Sequence, residues 1–178
     1  MKLKIIFLFI LTPLIARDIY FTRSGNVSFF SSTPIQDIKA INDQMTCVLD
    51  LETGDVSFRI PILGFNFPNG LMQEHFNENY MESDIYPNAS FKGRVKDWRE
   101  KNLTEESQDI TIDGIMKIHG VSKKISEKGR ISFVKGNVVG NSKFQIMAAD
   151  YGIEIPKLVR EKIAKIINVN IKLVLKKK

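Results

Sequence analysis

Residues 45–62, MTCVLDLETGDVSFRIPI, read as two strands joined by a tight turn. Met45, Cys47, Leu49 and Leu51 alternate with Thr46, Val48 and Asp50, and Val56, Phe58, Ile60 and Ile62 alternate with Ser57, Arg59 and Pro61. A period of two puts each apolar set on one face of a strand, and the Glu52-Thr53-Gly54-Asp55 cluster supplies the hairpin turn. The same period recurs along the chain. Upstream it appears at Val27 and Phe29; downstream it runs through Ala89, Phe91, Gly93 and Val95, then Ile110, Ile112, Gly114, Met116 and Ile118, then Ile131 and Phe133. Phe144, Ile146 and Ala148 continue it, and Val169, Ile171, Leu173 and Leu175 close it, with turn residues at Gly136-Asn137 and Gly140-Asn141. About eight one-sided antiparallel strands predict an all-β fold. Closure into a barrel removes their edges, while a two-sheet sandwich uses the same alternation.

The series pauses once. In residues 71–93, LMQEHFNENYMESDIYPNASFKG, Met72, Phe76 and Tyr80 stand at i, i+4 and i+8, which makes one apolar stripe on a helix. Pro87 then forces Tyr86 into an extended conformation, and the strand pattern resumes. A second short helix is expected from Pro156, with Val159, Ile163 and Ile166 at i, i+4 and i+7.

The first sixteen residues, MKLKIIFLFILTPLIA, have two lysines, an apolar run and a small residue at Ala16, the pattern of a secretory signal peptide. A membrane-spanning helix needs roughly 20 apolar residues, and this run ends at Ile15 ahead of Arg17 and Asp18. No cysteine follows it to carry a lipid anchor. The expected product is soluble, periplasmic or secreted, with residues 17–178 forming one domain. Taking away Lys2 and Lys4 lowers the formal net charge from +6 to +4, and the lysines alternate along strands instead of gathering with aromatics, so nucleic acid is not an expected partner. The single cysteine, Cys47, lies on the apolar side of its strand and reads as a small buried hydrophobe, leaving no internal disulfide.

Few residues carry chemistry. His75 and His119 have no ligand-spaced partner, and Glu74, Glu78 and Glu82 form an acidic row that reads as the wet side of the helix. No nucleophile elbow, phosphate-cradling loop or dinucleotide fingerprint is present. Neither catalytic residues, metal nor cofactor are expected. Sequons at Asn26, Asn88 and Asn102 carry no functional weight.

Three short segments have a family likeness. GIMKIHGVSK at residues 114–123 resembles the G-x-L-T-I-H-G-V-T-K segment of the YceI-like family of exported lipid-binding proteins. YPNASFKG at residues 86–93 resembles its Y-P-x-x-x-F segment, and DYGI at residues 150–153 its D-F-G-I segment. Met116 stands for the family's leucine, Ile115 where a polar residue is usual, and Tyr151 for phenylalanine. The resemblance spans the whole chain after residue 16. It implies an eight-stranded lipocalin-like barrel with one or two short helices, whose lumen holds a polyisoprenoid, an isoprenoid quinone or another long apolar molecule, and it implies no catalytic residues.

The residues alone allow such a site. Bulky Phe29, Phe58, Phe91, Phe133 and Phe144 share the inward parity with small Gly93, Gly114 and Ala148, which is expected to leave room. Leu49, Ile60, Ile112 and Met116 extend the expected lumen wall, as do Ile146, Ile171 and Leu173. Met72, Phe76 and Tyr80 form a lid or a plug, and Tyr80 offers a hydroxyl to a head group. Two other readings stay open: a filled barrel that binds a protein partner, and a lipid-modifying enzyme using the histidines or the glutamate row. Monomer and homodimer fit the sequence equally.

Overall fold

In a computed structural model, residues 17–98 and 103–178 are described. The expected signal segment, residues 1–16, and the sequon at Asn102 lie outside them. Eight antiparallel strands form a closed barrel in chain order. They are β1 (Ile19–Ser32), β2 (Asp37–Asp50), β3 (Asp55–Pro61), β4 (Asn88–Val95), β5 (Gln108–Ile118), β6 (Val121–Val134), β7 (Asn137–Met147) and β8 (Ile166–Lys177). Each pairs with the next, and β8 returns to β1 through pairs such as Val27↔Ile171 and Phe29↔Val169. The wall has no free first or last strand, so closure and not a sandwich is how the fold disposes of its edges.

Turn chemistry fixes the register. Lys135-Gly136 joins β6 to β7 and His119-Gly120 joins β5 to β6, and in each turn both residues have positive φ, which suits a two-residue hairpin. At the β2–β3 turn Asp50 is 6 % exposed because its carboxylate accepts from the backbone N–H groups of Glu52 and Thr53. Gly54, at φ +74, lies against Trp98, whose indole N–H donates to the Leu51 carbonyl at 2.7 Å.

Two expected features do not form. Gly140-Asn141 is no turn: both residues run inside β7, where Gly140 pairs with Ile131 and Leu173 and sits under the Leu173 side chain. The helix after Pro156 is reduced to one 3-10 turn, Lys157–Val159. Of its stripe, Val159 and Ile163 are only half-buried and Ile166 joins β8 at 47 % exposure, while the Ala164 N–H bonds to the Ser31 hydroxyl. A helix this short does not hold itself together in water. The first expected helix does form, as α1 (Gly70–His75) with Asn69 accepting from Leu71 and Met72 N–H, and it widens into a π-type turn over Phe76–Tyr80.

The core divides into two connected clusters. One gathers around Tyr20, Cys47, Leu49, Val56, Phe91, Val138 and Leu175, the other around Val27, Met45, Phe65 and Ile171. Burial of Cys47 pushes its thiol up to about 12, since a thiolate there would be stripped of water. The native protein is therefore expected to resist alkylation, with stoichiometric labelling only in denaturant. Intact-mass analysis checks this, and labelling at the rate of a free thiol would contradict the closed core.

Candidate functional site

Strand parity aims one row of side chains from each strand at the barrel axis, and the rows of β2 through β8 line a cavity. It is a slender cavity of about 80 Å³. Of the residues expected in a lumen, Leu49, Phe58, Phe91 and Ile112 line it, as do Met116, Phe144, Ile171 and Leu173. The others lie elsewhere. Phe29, Ile60, Phe76 and Ile146 pack on the second core cluster, and Phe133 packs on the first, edge-on to Tyr20 at 5.9 Å. Met72 and Tyr80 are half-buried on the helical segment and absent from the cavity wall, and burial pushes the Tyr80 phenol up.

Phe76 joins a knot of aromatic rings. It stacks on Phe29 at 5.5 Å and meets Phe65 and Phe67 at 5.5 and 5.0 Å, so the helical segment stoppers one end of the barrel. The small residues also behave differently from expectation. Gly93 and Gly114 face each other across β4 and β5, and the ring of Phe91 lies over the pair, so their missing side chains make room for a phenylalanine. Ala148 has left the wall for a 3-10 turn, Ala148–Tyr151.

The wall is incomplete on one side. β6 pairs with β5 from Val121 to Ile131 but with β7 only from Gly129 to Val134, and β7 beyond Ser142 pairs only with β8. The slit between them is closed at its far end by Lys123, whose Nζ lies 2.8 Å from an Asp150 carboxylate oxygen and 5.8 Å from the Tyr151 ring centre. At its near end the Ser142 hydroxyl donates to the Lys128 carbonyl at 2.6 Å. Ile125, Glu127, Ser142 and Phe144 reach the cavity from the two lips. Glu127 is the one acidic side chain in the lining, and loss of water raises its carboxyl above the ordinary glutamate range. Tyr151, 3 % exposed, is raised by burial first and then by Asp150 and Glu127.

Three chain segments far apart in sequence meet beside this slit. His119, in the β5–β6 turn, holds Glu82 through Nε2 at 2.8 Å and the Tyr151 carbonyl through Nδ1 at 3.3 Å, and its ring packs on Tyr86 at 4.6 Å. His119 is thus a structural joint between the end of the helical segment, the Tyr86-Pro87 entry to β4 and the turn at Tyr151. Among the described residues, no three His, Cys, Asp or Glu side chains gather as metal ligands would.

The model of the YceI-like domain matches residues 22–175. The chain belongs to the YceI-like family. Solved structures share the fold of this YceI-like domain at low sequence identity. A polyisoprenoid binding domain from Saccharophagus degradans implicated in plant cell wall breakdown is 16% identical, with a TM-score of 0.80 over 92% of this chain and 100% of that one. BcnA of Burkholderia cenocepacia is 11% identical, with a TM-score of 0.71 over 84% of this chain and 95% of its own. The Campylobacter jejuni YCEI protein is 16% identical, with a TM-score of 0.56 over 99% and 91%. No curated protein matches in sequence.

The YceI-like lumen also contains residues that sequence reading passed over: Val56, Val95, Ile110, Ile125, Glu127 and Val138. Parity already pointed at Val56, Val95 and Ile110. Ile125 and Glu127 were hidden because β6 opens on VSKKISEKGR, whose charges mask the period of two that starts twelve residues before Phe133.

Proposed function

We propose that this protein is an exported, soluble binding protein of the periplasm that holds a polyisoprenoid, an isoprenoid quinone or a similar long-chain amphiphile in its barrel. The observation that carries this reading is the shape and chemistry of the lumen, a slender space walled by Leu49, Phe58, Ile112, Met116 and Leu173 and open at one side. Ligand pockets commonly enclose about 300–1,000 Å³, so a lumen of about 80 Å³ takes in a chain only as its side chains move apart. A slender apolar channel suits one flexible hydrocarbon chain and rejects fused rings. Each buried methylene contributes roughly 0.8 kcal/mol before the cost of ordering the chain, so length governs affinity more than any one polar contact. The N-terminal residues 1–16 support export, and the fold's relative from Saccharophagus degradans, a polyisoprenoid binding domain, supports the ligand class.

The test is to express the full chain in a bacterium, purify it from the periplasm, extract it with organic solvent and analyse the extract by mass spectrometry. A long-chain isoprenoid at near-stoichiometric amount is expected. Protein that emerges empty and then refuses added long-chain alcohols would overturn the reading. The narrow lumen and the Phe91 ring over Gly93 and Gly114 favour a second reading, a barrel filled by its own side chains that acts through its outer surface. That protein would give the empty, refusing result.

A further inference from the structure

We propose that the polar end of the bound amphiphile lies in the slit between β6 and β7, where Glu127 selects a head that donates hydrogen bonds or carries positive charge over one that is anionic. This rests on reading the lumen as a lipid site and adds where the head sits and which heads are admitted.

The position follows from register. From Lys124 to Lys128, β6 has no partner in β7, a gap of five residues or roughly 16 Å at about 3.3 Å per residue. The Phe29, Phe65, Phe67 and Phe76 rings stopper one end of the axis, and although pairing is also interrupted between β1 and β8 from Phe21 to Asn26 and along β2 ahead of Thr46, no residue inside those stretches lines the cavity. A chain in the cavity reaches water most directly through the slit.

The selectivity follows from what stands there. Glu127 lies opposite Ile112, on the inward row with Ile125 and Ile131, and no described residue gives its carboxylate a hydrogen bond or an ion pair. Of the other charges nearby, Lys123 pairs with Asp150, Lys124 and Lys128 stand on the exposed outer row, and Arg130, which also borders the cavity, reaches Asp109 at 3.3 Å in an exposed pair. A partly desolvated carboxylate that no side chain holds accepts from an alcohol, amide N–H or ammonium group on the ligand. A phosphate or carboxylate in that place would set two negative charges together in a medium of low polarity.

The test compares geranylgeraniol, geranylgeranylamine and geranylgeranyl phosphate as competitors of a fluorescent long-chain alcohol at neutral pH. The native protein is expected to bind the alcohol and amine about tenfold more tightly than the phosphate or better. Glu127→Gln should bring the phosphate to within about threefold of the alcohol, whereas Lys128→Gln on the outer row should keep the native ratio. Equal native affinities would overturn the assignment without any variant, and so would an unchanged ratio in a Glu127→Gln protein that melts like the native one. If none of the three binds, the lumen reading itself falls. If all bind without preference, only the head assignment does.

Discussion

Gly114→Val is expected to destabilise the fold by about 4 kcal/mol or more, a large share of the 5–15 kcal/mol that holds a typical domain together. Gly114 sits opposite Gly93, and a β-carbon built on it would lie 2.5 Å from the Lys92 carbonyl oxygen, 2.5 Å from the Phe91 ring and 2.6 Å from the Gly93 α-carbon. Two of those three neighbours are backbone of the adjacent strand. Relief would require β4 and β5 to part or Phe91 to leave the core, where it is 5 % exposed and packs on Phe58 at 5.6 Å. Gly114→Ala should lose about 2 to 3 kcal/mol by the same contacts. Gly70 makes the control, because nothing lies within 4 Å of its would-be β-carbon and it opens α1, so Gly70→Ala should be neutral or stabilise by up to about 1 kcal/mol. Urea unfolding followed by circular dichroism reads all three, and a Gly114→Val midpoint equal to the native one would remove the argument.

Ile112→Trp should abolish uptake of a long-chain alcohol, weakening affinity by about a hundredfold or more, while the barrel still folds. Ile112 points into a cavity of only about 80 Å³, and an indole there takes the place of the ligand chain. Unlike Gly114, it faces a void and not backbone, so overpacking should cost about 1 to 3 kcal/mol. Fluorescence titration with the alcohol measures the loss, and a thermal melt shows that the wall survives. Undiminished binding in a folded Ile112→Trp protein would place the ligand outside the lumen.

The barrel was legible because its strands each keep one apolar face: Cys47 and Leu49, Phe58, Ile110 and Ile112, and Leu173 all land on the axis where the alternation puts them. What alternation cannot convey is which inward residues meet one another. Phe76 was readable as part of an apolar stripe, yet only the fold brings it against Phe29, Phe65 and Phe67, and Phe91 was readable as inward while its lodging over two glycines was not. The helix expected after Pro156 failed for a related reason, since periodicity records a face without showing that a floor exists for it. Glu127 was missed because a charged residue on an inward row looks, in sequence, like any lysine or glutamate on an outward one.

The ring of strands has a consequence for how the molecule is made. The wall closes only when β8 lies between β7 and β1, and β1 is the first strand to be synthesised while β8 is the last. Until then two long strands stand with bare backbone, and the pairing that covers them joins positions as remote as Val27 and Ile171. Contacts of that span form slowly and leave sticky edges exposed meanwhile. A nascent copy therefore depends on being shielded from its neighbours until its final strand has been delivered, and damage confined to β8 would harm the protein by aggregation before it harmed the lumen.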